Sequence, residues 1–473
     1  MTALHWRDAT DLARAIRRRE VTCVDVMQAF LSQIRRLDPL LNAFLFRIPD
    51  QEALRLAAAA DLRIARGESI GPLHGLPMAI KDLMDVAGMP TSFGTEVGTE
   101  VPLRDSLLAE RVRASGAIII GKTNTPEHGL GALTFNKLRE PARNPWDRSR
   151  HAGGSSGGAA TALAAGMLPL ADGSDSGGSI RYPASFCNLV GLRPSPGRVP
   201  TARVFDGWSP HALLGPMARN ARDAGLLLSV LAGRDPRAPL SLQGDPAIFA
   251  SLEPIPLPGL RIGWSRTLGG LPIDAEVMAV LESMRVTLTD AGCVVRDWEP
   301  EWPDADRCWE IIEMHEFMAG SAQDVQRNAR RLRPELVANV AVGLSQSAAE
   351  IAWAQIERTR IYRRTAAEFE RFDFLVAPAA PVVAPPVECE WVQQIHDVEL
   401  HRYFEWQRCA SRVTVTAHPV ISIPAGFSKQ GLPVGMQVLA RDHGEHALLN
   451  FAAALEQLNG FAHRRPPPLT SGT

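Results

Sequence analysis

Between Gly153 and Arg181 the chain sets two glycine–serine clusters, GGSSGG at 153–158 and GSDSGGS at 173–179, on either side of an Ala/Leu/Met-rich interval. No other stretch of the 473 residues restricts the fold as much. A flexible linker would be polar between its glycines. Here the interval AATALAAGMLPLAD is suited to burial, as a small-residue helix followed by a short apolar run. Folding it inward brings two serine hydroxyls to one place. Glycines in such a setting let successive backbone N–H groups converge on one point, a nest for an anion or oxyanion. The second cluster leads into Ser179-Ile180-Arg181-Tyr182, which reads as a helix start whose positive end favours the same anion.

The rest of the chain alternates helix and strand signals. Val24, Met27, Leu31, Ile34 and Leu37 recur at helical spacing behind a Thr22 cap, and Asp50 to Gly67 reads as a second helix closed by glycine. Leu76 to Ile80 is an apolar run ending in Lys81-Asp82, a buried strand with a charged group at its mouth. Lys81 is open to two readings: a solvated strand-end lysine, or an enclosed amine whose pKa falls until it can accept a proton. Asp105 to Ala114 predicts a helix, Ala117 to Ile120 a strand, and Thr125-Pro126-Glu127 a further helix opening. Later helices are expected at Ala221 to Leu231 and Ala275 to Ala291. Later strands are expected at Leu260 to Gly263, Phe374 to Pro378, Val420 to Pro424 and Val434 to Leu439.

This pattern predicts an α/β fold: a single large domain over 1–473, with a central mixed β-sheet flanked by helices and completed by strands from both ends of the chain. Residues from about 236 to 370 read as a more variable, largely helical excursion. Its Trp298, Trp302 and Trp309 are expected to pack rather than to touch a substrate.

Composition removes several function classes. A net charge of −2 with 22% charged residues gives no basic surface for nucleic acid or an acidic membrane. Six cysteines without a CxxC pair argue against a zinc site or a disulfide framework and for a reducing cytoplasm. No apolar run approaches the roughly 18 residues of a membrane helix, and the N-terminus lacks a signal-peptide core. Gly129-Leu130-Gly131 begins a GxGxxG match that fails at Thr134. Residues 153–157 also satisfy the GxSxG of α/β-hydrolases, but the preceding Asp147-Arg148-Ser149-Arg150-His151 is charged where a nucleophile elbow needs an apolar strand. His443 and His446 read as a surface turn, and His151 either contacts a substrate or caps the loop beside it.

With these residues in hand, the chain resembles the amidase signature hydrolases. The resemblance rests on GGSSGG at 153–158, GSDSGGSIR at 173–181 and AIKD at 79–82. It is supported by RNPWD at 143–147, SFCNLVGLRPSPGRVP at 185–200, GPMAR at 215–219 and ISIPAGFSKQGLPVGMQV at 421–438. It implies a Ser-cisSer-Lys triad with Ser179 as nucleophile, Ser155 as the bridging serine after a cis peptide, and Lys81 as base. It further implies an oxyanion hole from the backbone N–H groups of Ser176, Gly177, Gly178 and Ser179, with Asp175 and Arg181 bracing the loop unless they form only a local surface pair. Gly129 and Leu130 would line the acyl pocket, and Ser176 stands where the family usually carries an aliphatic or other small residue. The implied activity is hydrolysis of a small-molecule carboxylic amide, aryl, cyclic or oligomeric, or of a carbamate. It needs no metal or organic cofactor and is expected of a cytoplasmic monomer or homodimer. The alternative is the A-type subunit of an aminoacyl-tRNA amidotransferase complex.

Overall fold

The computed structural model describes residues 3–202 and 206–469. Pro77–Lys81 (β2) and Ile118–Thr123 (β3) are buried at every position and pair in parallel, as continuous apolar runs do when both faces are covered. Phe44–Arg47 (β1) lies antiparallel along the other side of β3, giving a three-stranded sheet in the order β1-β3-β2. The helix Cys23–Leu41 that leads into it opens on a capping box: Thr22 Oγ1 accepts from the Asp25 amide, and the Asp25 carboxylate accepts from the Thr22 amide.

Arg143–Asn144 (β4) and Asp147–His151 (β5) form a hairpin of their own. A second, eight-stranded sheet then takes in Ala171–Asp175 (β6), Val190–Arg193 (β7), Leu213–Ala218 (β8), Arg261–Trp264 (β9), Val294–Asp297 (β10) and Phe374–Pro378 (β11). After a small hairpin, Gln394–Ile395 (β12) with Val398–Glu399 (β13), the sheet is completed by Val420–Phe427 (β14) and Pro433–Leu439 (β15). Its order is β10-β9-β11-β15-β14-β7-β8-β6. The sheet is mixed because β9 runs parallel to both β10 and β11 while the other neighbours are antiparallel. Helices Ala221–Leu231, Ala275–Asp290 and Glu445–Asn459 flank it.

Three expectations are corrected. The late strands do complete the large sheet, but the early ones pair only among themselves. The two sheets meet edge to edge, where the Asp172 Oδ1 of β6 accepts from the Lys81 amide of β2 at 3.1 Å. Thr125-Pro126-Glu127 opens only one turn of 3-10 helix, Glu127–Gly129. His128 at φ 50° and Gly129 at φ 75° turn the chain left-handed, which a right-handed helix cannot continue through. The helix after the second glycine–serine cluster starts at Arg181 and has six residues, so the backbone of the preceding loop, more than a helix end, shapes that place. Segment 236–370 does hold four long helices, Ala275–Asp290, Ala305–Asn328, Pro334–Ser345 and Ala348–Glu368, and it also supplies β9 and β10 at the far edge of the sheet. Trp298 and Trp302 pack edge to face there with ring centroids 5.8 Å apart. Among the described residues, no helix is long and apolar enough to cross a membrane.

Between the two glycine–serine clusters runs the helix Gly157–Ala164, buried at every position. Its closest approach explains its composition. A Cβ on Gly158 would stand 2.3 Å from the Asn124 nitrogen and 2.4 Å from the Ala43 oxygen, both main-chain atoms that cannot rotate away. Gly158→Ala is therefore expected to push this helix off the three-stranded sheet and to cost about 1–3 kcal/mol, measured as a lower urea midpoint with little change in slope.

Candidate active site

Lys81 closes β2 and is fully buried. Its Nζ donates to Ser155 Oγ at 2.7 Å, to Ser156 Oγ at 2.9 Å and to Ser174 Oγ at 2.9 Å, so three hydroxyls meet its three N–H groups. Burial pushes its pKa down to about 7, against the opposing pull of the Asp172 and Asp175 charges. Asp172 is itself fully buried and is pushed up to about 6 for the same reason, with the Lys81 amide and charge opposing. Ser156 and Ser174 are missing from the sequence-derived site. The signal for them was present, because each is a further serine of one of the two clusters and a buried lysine nitrogen needs more than one acceptor. Ser156 is also a junction: its Oγ accepts from the Ser174 amide at 3.3 Å, and its own N–H donates to the Ser179 carbonyl at 3.1 Å.

The Gly154–Ser155 peptide is cis, as the resemblance implies. Ser155 Oγ and Ser179 face one cavity of about 420 Å³, without a direct hydrogen bond between the two hydroxyls. Ser179 lies in the loop between β6 and the helix Arg181–Phe186, and Asp175, the last residue of β6, organises that loop. Its carboxylate accepts from the amides of Gly178 at 2.9 Å and Ile180 at 3.2 Å, and takes two bonds from the Arg181 guanidinium at 2.8 and 3.0 Å. Both side chains are fully buried, which makes this a core ion pair and excludes the surface-pair reading. Arg181 is completed by the Ala410 carbonyl, Gln437 and Thr414. Burial alone would raise the Asp175 pKa, but the charges of Arg181 and Arg193 and the bond from Gly178 hold it well below the usual carboxylate range.

The same geometry revises the expected donor set. The Gly178 amide is spent on Asp175, so it is not free for an oxyanion, whereas those of Ser176, Gly177 and Ser179 donate to no acceptor among the described residues. Gly178 at φ 111° is held in a conformation only glycine adopts readily, and a Cβ on Gly177 would stand 2.8 Å from the Trp309 ring.

Gly129 and Ser176 line the cavity, as do Leu83, Met84, Phe93, Leu107, Leu214 and Phe317. Leu130 does not. Its side chain is wholly enclosed in the core, because the turn at His128 and Gly129 directs it inward. His151 is also buried away from the cavity, where its Nε2–H donates to the Cys389 carbonyl at 2.9 Å and burial pushes its pKa down to about 4. The charged run Asp147–His151 does form a strand, but only in its two-stranded hairpin, and the group next to Ser155 is a lysine and not a histidine.

The family model for amidases matches residues 25–449. The chain belongs to the amidase signature family. Among its relatives, an acylamidase of Rhodococcus erythropolis is 30% identical over 98% of both chains. The A-type subunit of the glutamyl-tRNA(Gln) amidotransferase of Chloroflexus aurantiacus is 34% identical over 98% of this chain and 99% of that one. The solved structure of a bacterial aryl acylamidase of the amidase signature family superposes with a TM-score of 0.90 at 27% identity, covering 97% of this chain and 98% of that chain. Family members act on amide C–N bonds, and the buried lysine and its hydroxyls are to be read in that light.

Two outcomes are expected. If neutral Lys81 is the working form, kcat/KM rises about tenfold per pH unit below pH 7 and levels off above it, measured between pH 5.5 and 9. Asp175→Asn leaves the buried Arg181 charge uncompensated and should cost about 3–5 kcal/mol of stability in urea unfolding.

Proposed function

We propose that the protein hydrolyses a small-molecule carboxylic amide through an acyl-enzyme on Ser179. The observation that carries this reading is the buried Lys81 Nζ, 2.7 Å from Ser155 Oγ, on the wall of the cavity that Ser179 shares. With Lys81 neutral, Ser155 Oγ–H can give its proton to Nζ while it takes the proton of Ser179 Oγ–H; the hydroxyl relays charge without holding it. Ser179 Oγ then bonds to the carbonyl carbon, and the oxyanion is met by the amides of Ser176, Gly177 and Ser179. Collapse of this intermediate breaks the C–N bond, with the proton on Lys81 returning through Ser155 to the departing amine. Water repeats the sequence on the acyl-enzyme and releases the acid.

The apolar walls given by Leu83, Met84, Phe93 and Phe317 favour an uncharged acyl or aryl group over a polar one. The likeness to an aryl acylamidase supports the same substrate class, with anilides ahead of carbamates. Six free cysteines are consistent with action in a reducing cytoplasm, by a monomer or homodimer. A second reading follows from the amidotransferase relatives: the same chemistry, acting on a carboxamide within a complex that uses the ammonia. The purified single chain separates the two, because only the first reading requires full turnover of simple anilides without a partner.

Ser179→Ala is expected to abolish labelling by an aryl fluorophosphonate and turnover of 4-nitroacetanilide, with the thermal midpoint kept. Mass spectrometry that finds the label undiminished in the variant overturns the assignment.

A further inference from the structure

Ser176 is the residue of the loop with most of its polar atoms fixed from outside. Its Oγ donates to Glu313 Oε1 at 3.0 Å, and its carbonyl accepts from Trp309 Nε1–H at 2.9 Å. Both partners come from the helix Ala305–Asn328, more than 130 residues away in sequence, and stand one helical turn apart on it. The second oxygen of Glu313, Oε2, accepts from His211 Nε2–H at 2.7 Å. Glu313, Trp309 and His211 are all buried, so this chain of bonds is shielded from water, where each bond is stronger. The edge of the Trp309 ring lies against Gly177, the next residue of the loop.

A peptide unit is planar, so the bond from Trp309 to the Ser176 carbonyl fixes the plane that carries the Gly177 N–H, while tying the Ser176 side chain fixes the Cα from which its own N–H projects. That N–H is the remaining polar group of Ser176 and has no acceptor among the described residues, while Ser176 itself lines the cavity. We propose that Glu313 is a positioning residue for amide hydrolysis. Glu313 lines the cavity as well, but both its oxygens are engaged, by Ser176 and His211; through Ser176 it holds the first amide of the oxyanion hole in place, with His211 fixing the rotamer of the carboxylate and Trp309 the carbonyl. This rests on the Ser179 acyl-enzyme reading. It gives the helix Ala305–Asn328 a role beyond that of a cavity wall, since the same helix supplies Phe317 to the pocket.

The test compares Ser176→Ala, Glu313→Ala, Glu313→Gln and the Ser176→Ala/Glu313→Ala double variant. Readouts are turnover of p-nitrophenyl butyrate and inhibition by an aryl trifluoromethyl ketone, whose adduct carries an oxyanion. Removing one oxyanion donor outright typically costs 10²–10³ in rate. A donor that is misplaced but not lost is expected to cost about 10–100-fold in kcat, with KM within about threefold and the ketone's Ki rising in proportion. Glu313→Gln keeps an acceptor for Ser176 and should recover most of the loss. The double variant should be no worse than either single, because both cut one chain of bonds. Singles that leave kcat and Ki within twofold of wild type overturn the proposal, as do losses that multiply in the double variant or fall on KM alone. Ser176→Ala removes a single hydroxyl oxygen and keeps the proposal falsifiable if Glu313→Ala fails to fold. Retained fluorophosphonate labelling of Ser179→Ala would sink the acyl-enzyme reading instead, so the two failures are told apart.

Discussion

A lysine nitrogen with no carboxylate in contact is a costly thing to bury. Two strands of this fold make the comparison internally. Lys122 on β3 is as fully enclosed as Lys81 on neighbouring β2, but Lys122 lies 2.8 Å from Asp82 and also donates to Thr91. It is an ordinary core ion pair. Lys81 meets only hydroxyls, and the carboxylates of Asp172 and Asp175 act on it from further off. Hydroxyls satisfy hydrogen-bond geometry without supplying charge, so burial takes the amine's pKa down to about 7, which is what the proposed role as base requires. The small side chains of the Gly157–Ala164 helix and the packing of the clusters around it can be read as what this one desolvation requires.

The loop that carries Ser179 solves the opposite problem. There a carboxylate is kept charged in the core by arginines and main-chain amides, and the bonds it accepts from Gly178 and Ile180 fix the turn on either side of Ser179. Lys81 and Asp175 thus sit in environments that both lower a pKa, the first by removing water and the second by adding cations. Both effects depend on the same dry interior.

Much of this was legible in the amino-acid sequence because the chemistry is local there. Ser155, Ser179, Asp175 and Arg181 lie within one stretch of glycine-spaced residues, Lys81 ends an apolar run that reads as a buried strand, and the family resemblance joins the two. What escaped depends on long-range approach. Nothing near Glu313 marks it as a partner of Ser176, or His211 as a partner of Glu313, and the link to the loop exists only because a late helix crosses it. The resemblance puts Leu130 in the pocket with Gly129, but a left-handed turn at Gly129 sends the two residues to different environments. The Gly178 amide counts as available in the sequence alone, and only the folded loop shows Asp175 holding it. The early strands read correctly as strands, yet edge partners are set by which backbone groups are left over, and that is not written in any one segment.

The Lys81 amine rides on the three-stranded sheet and the Ser179 loop on the eight-stranded one, and their edges are stitched by the Asp172 carboxylate on the Lys81 amide. Alignment of the proposed proton path is therefore a matter of how two plates are seated against each other. Substitutions along that seam would detune the enzyme the way a shifted hinge spoils a latch, leaving both halves intact and merely out of register.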